Sequence, residues 1–194
     1  MNDIIIKNLC KSYNGRKVLD SFSAEIHSGE IICIMGPSGC GKTTLLNILM
    51  GFEKADSGII SGVPALQSAV FQEDRLCEEF SALANIRLAT GKAVDESIIK
   101  EHFSLLGLDE IGNKPVKEFS GGMKRRIAII RAILFQSDIL FLDEPFRGLD
   151  KITKKAVIEY VLSHADGRTV IAVTHDMEEY QQMNGRLIEI PMLG

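Results

Sequence analysis

No apolar run in this 194-residue chain approaches the roughly 20 residues needed to cross a bilayer; the longest, such as Ile31–Met35 and Ile139–Leu142, are a fraction of that. Surplus positive charge is missing too. With 22 Lys and Arg against 26 Asp and Glu the formal net charge is −4, which argues against nucleic-acid wrapping driven by overall charge and leaves room only for a local basic patch; no nucleic-acid partner is expected. The four cysteines, Cys10, Cys33, Cys40 and Cys77, form no C-x-x-C pair and have no histidine at zinc-ligand spacing. They are expected to be reduced and mostly buried. The start, Met1-Asn2-Asp3, has no basic segment ahead of an apolar stretch, so no secretory leader is expected. Internal repeats and low-complexity segments are absent. At 45% hydrophobic and 25% charged residues the composition excludes disordered, collagen-like and coiled-coil chains. What remains is one globular domain, with room for a small inserted lobe and a core large enough to fold without disulfides.

The N-terminal third reads as strands. Ile4–Leu9 and Phe22–Ile26 flank the turn Tyr13-Asn14-Gly15-Arg16, and Ile31–Met35 is a continuous apolar run of the kind buried on both faces of a sheet. Thr43–Met50 has a helical apolar face. From about 73 to 117 helical spacing dominates, in Leu83–Leu88 and Ile98–Leu106, with Gly91 and Gly107 as stops. Gly122–Phe135 is an amphipathic helix with a basic start, Lys124, Arg125 and Arg126. Ile139–Leu142 and Val170–Val173 are buried strands separated by a helical stretch, Lys151–His164, and this alternation predicts a parallel sheet. The expected division is a core of about 1–72 and 136–194 with an inserted helical subdomain of about 73–135.

Gly36-Pro37-Ser38-Gly39-Cys40-Gly41-Lys42-Thr43 matches G-x-x-x-x-G-K-[ST] and lies between a predicted strand and a predicted helix. The glycines let successive backbone N–H groups turn inward around a phosphate, and the helix N-terminus points at the same anion. Lys42 supplies a point charge for the β- and γ-phosphates, and Thr43 a hydroxyl for Mg²⁺. Thr44, the next residue, is expected among the nucleotide-binding residues with the loop.

Ile139-Leu140-Phe141-Leu142-Asp143-Glu144 is an apolar strand ending in two carboxylates. In a parallel sheet ligands gather at the carboxyl ends of strands, so both acids are expected beside the loop. Asp143 can orient Mg²⁺ through its water shell, and Glu144 can act as base toward a water attacking the γ-phosphate. His175 follows the strand Val170–Thr174 and is expected at the γ-phosphate or Glu144. Gln72, after Ala69-Val70-Phe71, can offer its amide oxygen to Mg²⁺ or to the attacking water. His27, His102 and His164 have no such placement and read as surface or packing residues.

Phe119-Ser120-Gly121-Gly122-Met123 ahead of the basic helix completes a set. Together with the loop Gly36–Thr43, Gln72, Asp143-Glu144-Pro145, Gly148-Leu149-Asp150 and His175, all in the same order, it makes the chain resemble the ATP-binding subunits of ABC transporters over essentially its whole length. The resemblance implies a P-loop NTPase core with N-terminal antiparallel strands and an inserted helical subdomain, ATP and Mg²⁺ as cofactors, and Tyr13 as the aromatic that stacks on adenine. It also implies a head-to-tail dimer in which Ser120, Gly121, Gly122 and Asp150 face the nucleotide held by the partner's loop. The partners it implies are a second ATPase subunit, membrane permease subunits near Gln72 and the helical lobe and, through the permease, an extracytoplasmic solute-binding protein. The chain would then sit peripherally on the cytoplasmic face of the cell membrane and be soluble when isolated.

Phe71-Gln72-Glu73-Asp74-Arg75-Leu76, Ser120–Met123 and Asp143–Phe146 resemble most the importers of nitrate, sulfonate and taurine type. A soluble ABC ATPase without a permease and an exporter ATPase are the alternatives. Some positions depart from the common pattern: Phe119 for Leu, Met123 for Gln, and Arg147-Gly148 where two small residues are usual.

Overall fold

The protein is described here by a computed structural model covering residues 2–109, 111 and 113–193. It carries two sheets. β1 (Ile4–Tyr13), β2 (Arg16–Ile26) and β4 (Ser57–Ser61) form an antiparallel sheet in the order β2-β1-β4. β3 (Ile31–Met35), β5 (Gln67–Val70), β6 (Ile139–Asp143), β7 (Thr169–Val173) and β8 (Arg186–Glu189) form an all-parallel sheet in the order β5-β6-β7-β3-β8. The helices are α1 (Lys42–Leu49), α2 (Ala82–Thr90), α3 (Glu96–Leu105), α4 (Gly121–Leu134), α5 (Lys151–Ser163) and α6 (Met177–Met183), with a 3-10 turn at Val116–Glu118.

The central strands read as unbroken apolar runs because both of their faces are covered. Along β6 the period-two alternation divides the side chains. Ile139 and Phe141 join the layer shared with α1 and the antiparallel sheet, while Leu140 and Leu142 join the layer built by α2, α3, α4 and α5. β7 does the same, with Ile171 and Val173 on one side and Val170 and Ala172 on the other.

The N-terminal hairpin is longer than the sequence predicts. Its register shifts near Leu9 and Lys11, and Asn8 and Ser21 take positive φ values of 49° and 52°. These bulges break the alternation that would otherwise have marked one long strand. The strands β4, β5 and β8 and the helix α6 carry too few apolar residues to announce themselves; β4 is an exposed edge strand. The expectation of mostly buried thiols also needs correcting. All four cysteines are free, but only Cys33 and Cys40 are buried, Cys10 is half-buried and Cys77 is exposed.

Candidate nucleotide site

Sheet order positions the site. Four neighbouring strands, β5, β6, β7 and β3, end at one edge, and within two residues of their ends come Gln72, Glu144, His175 and the start of the loop 36–41. With Lys42, Thr43, Thr44 and Tyr13 these groups line one cavity of about 960 Å³, the loop contributing Pro37 and Ser38 together with its glycines.

The loop's shape depends on glycine. Gly41 caps α1 in the left-handed region at φ 101°, and a Cβ there would lie 2.5 Å from the Val18 carbonyl oxygen. A Cβ on Gly36 would collide with the Ile190 carbonyl and approach the Cys40 thiol. No side chain caps α1 and no acid stands in its first turn, so its N-terminal N–H groups and dipole face the cavity uncompensated. The Lys42 ammonium donates to the Gly36 and Pro37 carbonyls at 2.7 and 2.8 Å, curled against the rim of the loop. Cys40 is 2% exposed and packs beneath the loop, so its thiol is no part of the cavity wall.

Thr43 donates its hydroxyl to Asp143 Oδ1 at 3.3 Å. Burial pushes the Asp143 carboxyl above the usual carboxylate range, opposed by that hydrogen bond and by Lys42. The oxygens here (hydroxyl, carboxylate and the Gln72 amide) are a donor set suited to a hard divalent cation. Glu144 sits at φ 46°, held by its N–H on the Val173 carbonyl at 3.0 Å. Its carboxylate is bracketed, with His175 Nδ1 3.4 Å from one oxygen and the Arg147 guanidinium 3.6 Å from the other. Tyr13 is 43% exposed on the cavity wall, with the Lys11 ammonium 5.1 Å from its ring centre.

Ser120, Gly121, Gly122 and Asp150 lie elsewhere, in a second cavity of about 670 Å³ that also holds Asp74, Arg125 and Arg126. Gln72 and Arg147 belong to both walls. Ser120 caps α4 by accepting from the Met123 N–H at 3.3 Å, and Asp150 caps α5 through the N–H groups of Ile152 and Thr153. One chain therefore presents two glycine-lined cradles that meet at Gln72 and Arg147, rather than one closed site.

A residue that sequence reasoning missed is Arg125. It donates to the Phe71 and Gln72 carbonyls, and its Nε lies 3.1 Å from Asp74 Oδ1 without hydrogen-bond geometry. Arg131, one and a half turns on, donates to the Asp74 and Arg75 carbonyls. α4 thus grips the loop that carries Gln72. The signal was there: Arg125 lies on the stripe with Ala128, Ile129 and Ala132, all buried, and a charge on an apolar stripe must find partners.

Comparison with known proteins fits this geometry. The family described as ABC transporter matches residues 19–147. The chain belongs to that family. It is 36% identical over 205 residues to the bicarbonate transport ATP-binding protein CmpD of Synechococcus elongatus, covering 95% of this chain and 74% of the relative. It is 35% identical over 207 residues to the taurine import ATP-binding protein TauB of Jannaschia sp., covering 97% and 77%. To the spermidine/putrescine import ATP-binding protein PotA of Fusobacterium nucleatum it is 37% identical over 202 residues, covering 95% of this chain and 54% of the relative. As an ABC chain it is a nucleotide-binding ATPase of the importer type, and among the described residues no helix is long and apolar enough to cross a membrane.

Proposed function

We propose that this chain hydrolyses ATP to power solute import through a separate membrane permease, working as one half of a pair of ATPase subunits. The observation that carries the reading is the juxtaposition at one sheet edge of the loop 36–43, Gln72, Glu144 and His175. Lys42 and the loop amides hold the β- and γ-phosphates, and Tyr13 stacks on the base. Thr43 and Gln72 would hold Mg²⁺, with Asp143 acting through water; the ion supplies charge neutralisation between the phosphates. Glu144 takes the proton of the attacking water, and His175 contacts the γ-phosphate and steadies the Glu144 carboxylate.

Apart from Gln72 and Arg147, the second cradle shares no lining residue with the P-loop cavity. Ser120, Gly121, Gly122 and Asp150 are assigned to the ATP of a second subunit, which makes nucleotide the cement of the dimer. The lobe 73–135 and the core segments 1–72 and 136–194 then move relative to one another as nucleotide turns over, and Gln72, gripped by Arg125, connects them. The exposed rings near that loop, Phe52 at 64% and Phe80 at 46%, with the Arg75 guanidinium 3.6 Å over Phe71, favour a permease contact there. That assembly places the chain on the cytoplasmic face of the membrane, with an extracytoplasmic binding protein delivering the solute.

Glu144→Gln is the direct test. Loss of a general base costs about 10²–10⁴ in rate. The variant is expected to lose phosphate release by that factor, keep ATP affinity and accumulate as an ATP-bound dimer on size exclusion; full turnover in Glu144→Gln would remove Glu144 from its role. Co-purification with a permease from detergent-solubilised membranes tests the transport assignment separately.

A further inference from the structure

Arg147 has no part in the roles assigned to the P-loop, the metal ligands or the base. Its side chain is 61% exposed and stands on the wall of both cavities. Its one ion pair among the described residues is with Glu144, at 3.6 Å, beyond hydrogen-bond length. A guanidinium offers five N–H donors in a planar fork that fits a phosphate edge through two parallel bonds. Here that fork is committed only loosely, to the carboxylate assigned as the base, and it sits beside Lys42, Thr43 and His175 in the P-loop cavity.

We propose that Arg147 is a second phosphate-reading cation of the nucleotide site, which exchanges Glu144 for the terminal phosphate of a bound nucleoside triphosphate. The proposal rests on the reading of the P-loop cavity as an ATP site. A terminal phosphate carries more charge and more acceptor atoms than one carboxylate, so it wins the guanidinium when within reach. The exchange has two results. It distinguishes a triphosphate from a diphosphate, because a diphosphate lacks the group that Arg147 reads. It also releases the Glu144 carboxylate from its cation at the moment a hydrolysable phosphate is present, leaving the base to the attacking water.

Equilibrium titration of the wild-type chain, Arg147→Ala, Arg147→Lys and Lys42→Ala with Mg²⁺ and either AMP-PNP or ADP separates the outcomes. Arg147→Ala is expected to bind AMP-PNP about tenfold more weakly, equivalent to about 1.4 kcal/mol, with ADP affinity changed less than about twofold. Arg147→Lys is expected to recover part of the loss. Unchanged AMP-PNP affinity in Arg147→Ala overturns the proposal, and so does an equal fall for both nucleotides, which would mean a merely structural role. If the wild-type chain binds both nucleotides and Lys42→Ala neither, the ATP-site reading holds whatever Arg147 does. If the wild-type chain binds neither, both readings fall together.

Discussion

The two glycine-rich cradles of this chain are built on opposite principles. Around the P-loop the protein's own backbone demands glycine: Gly36 and Gly41 are pressed against the Ile190 and Val18 carbonyls, and Gly41 holds a left-handed conformation. At Gly121 and Gly122 nothing among the described residues does. Both lie in the first turn of α4 at ordinary helical φ; a Cβ on Gly121 would meet open space, and one on Gly122 only Leu149 at an ordinary 3.5 Å. Glycine costs roughly 0.5–1 kcal/mol in a helix relative to alanine, so the fold gains nothing from two of them there. The difference teaches that the first cradle is a folded object complete in itself. The second has glycines that the fold does not require, as the proposed contact with a partner's nucleotide would need.

Gly41→Ala and Gly122→Ala put that contrast to the test. Overpacking against a carbonyl costs about 1–3 kcal/mol and a non-glycine residue in a left-handed position a similar amount, so Gly41→Ala is expected to lose roughly 4 kcal/mol in denaturant unfolding. Nucleotide binding should go with it. Gly122→Ala is expected to be neutral or to gain up to about 1 kcal/mol, while the nucleotide-driven dimer and ATP turnover collapse. A large stability loss in Gly122→Ala would break the comparison.

A smaller effect is expected where the two cradles are joined. Arg125 lies on the second and holds the Gln72 carbonyl of the first. Burial lowers its pKa and raises that of Asp74, each partly restored by the other's charge. Removing one member of such a pair strands the other. Arg125→Met is therefore expected to cost about 2–3 kcal/mol, less than a fully buried pair because Asp74 is partly exposed, and Asp74→Asn added to it should recover part of the loss. If the double variant is no more stable than Arg125→Met, the loss comes from the freed Phe71 and Gln72 carbonyls rather than from the stranded carboxylate.

Much of this was legible in the sequence, for physical reasons that can be named. The P-loop, Asp143-Glu144 and His175 stand directly after runs such as Ile31–Met35 and Ile139–Leu142, whose burial on both faces makes their sequence unmistakable. Strand ends then place the site, with no knowledge of the rest needed. β4, β8 and α6 stayed hidden because they are held by pairing and capping rather than by an apolar face. The Arg125–Asp74 pair stayed hidden because it spans 51 positions of sequence and depends on how α4 lies on the loop after β5. Arg147 could be seen to be out of pattern, but only the structure shows which carboxylate it meets.

The smallest effect concerns how the region bearing the second cradle is pinned to the core. His102 of α3 sits edge-on to the Tyr160 ring of α5, its Nδ1 2.7 Å from the phenol oxygen, with the His164 ring 5.0 Å away. Burial, with His164 adding to it, holds the His102 imidazole below its usual range, opposed weakly by Glu101. The unfolded chain therefore binds the proton more readily than the folded one. This stability is fully present above the unfolded value of about 6.5 and is lost as pH falls through the depressed folded value. In urea unfolding, wild type is expected to lose more stability than His102→Phe between pH 7 and pH 5, by less than about 1 kcal/mol. Equal slopes for the two would show that the stack does not feel the proton. A difference that also appeared in AMP-PNP affinity would contradict the separation of the two cradles, since the P-loop cavity contains none of these rings.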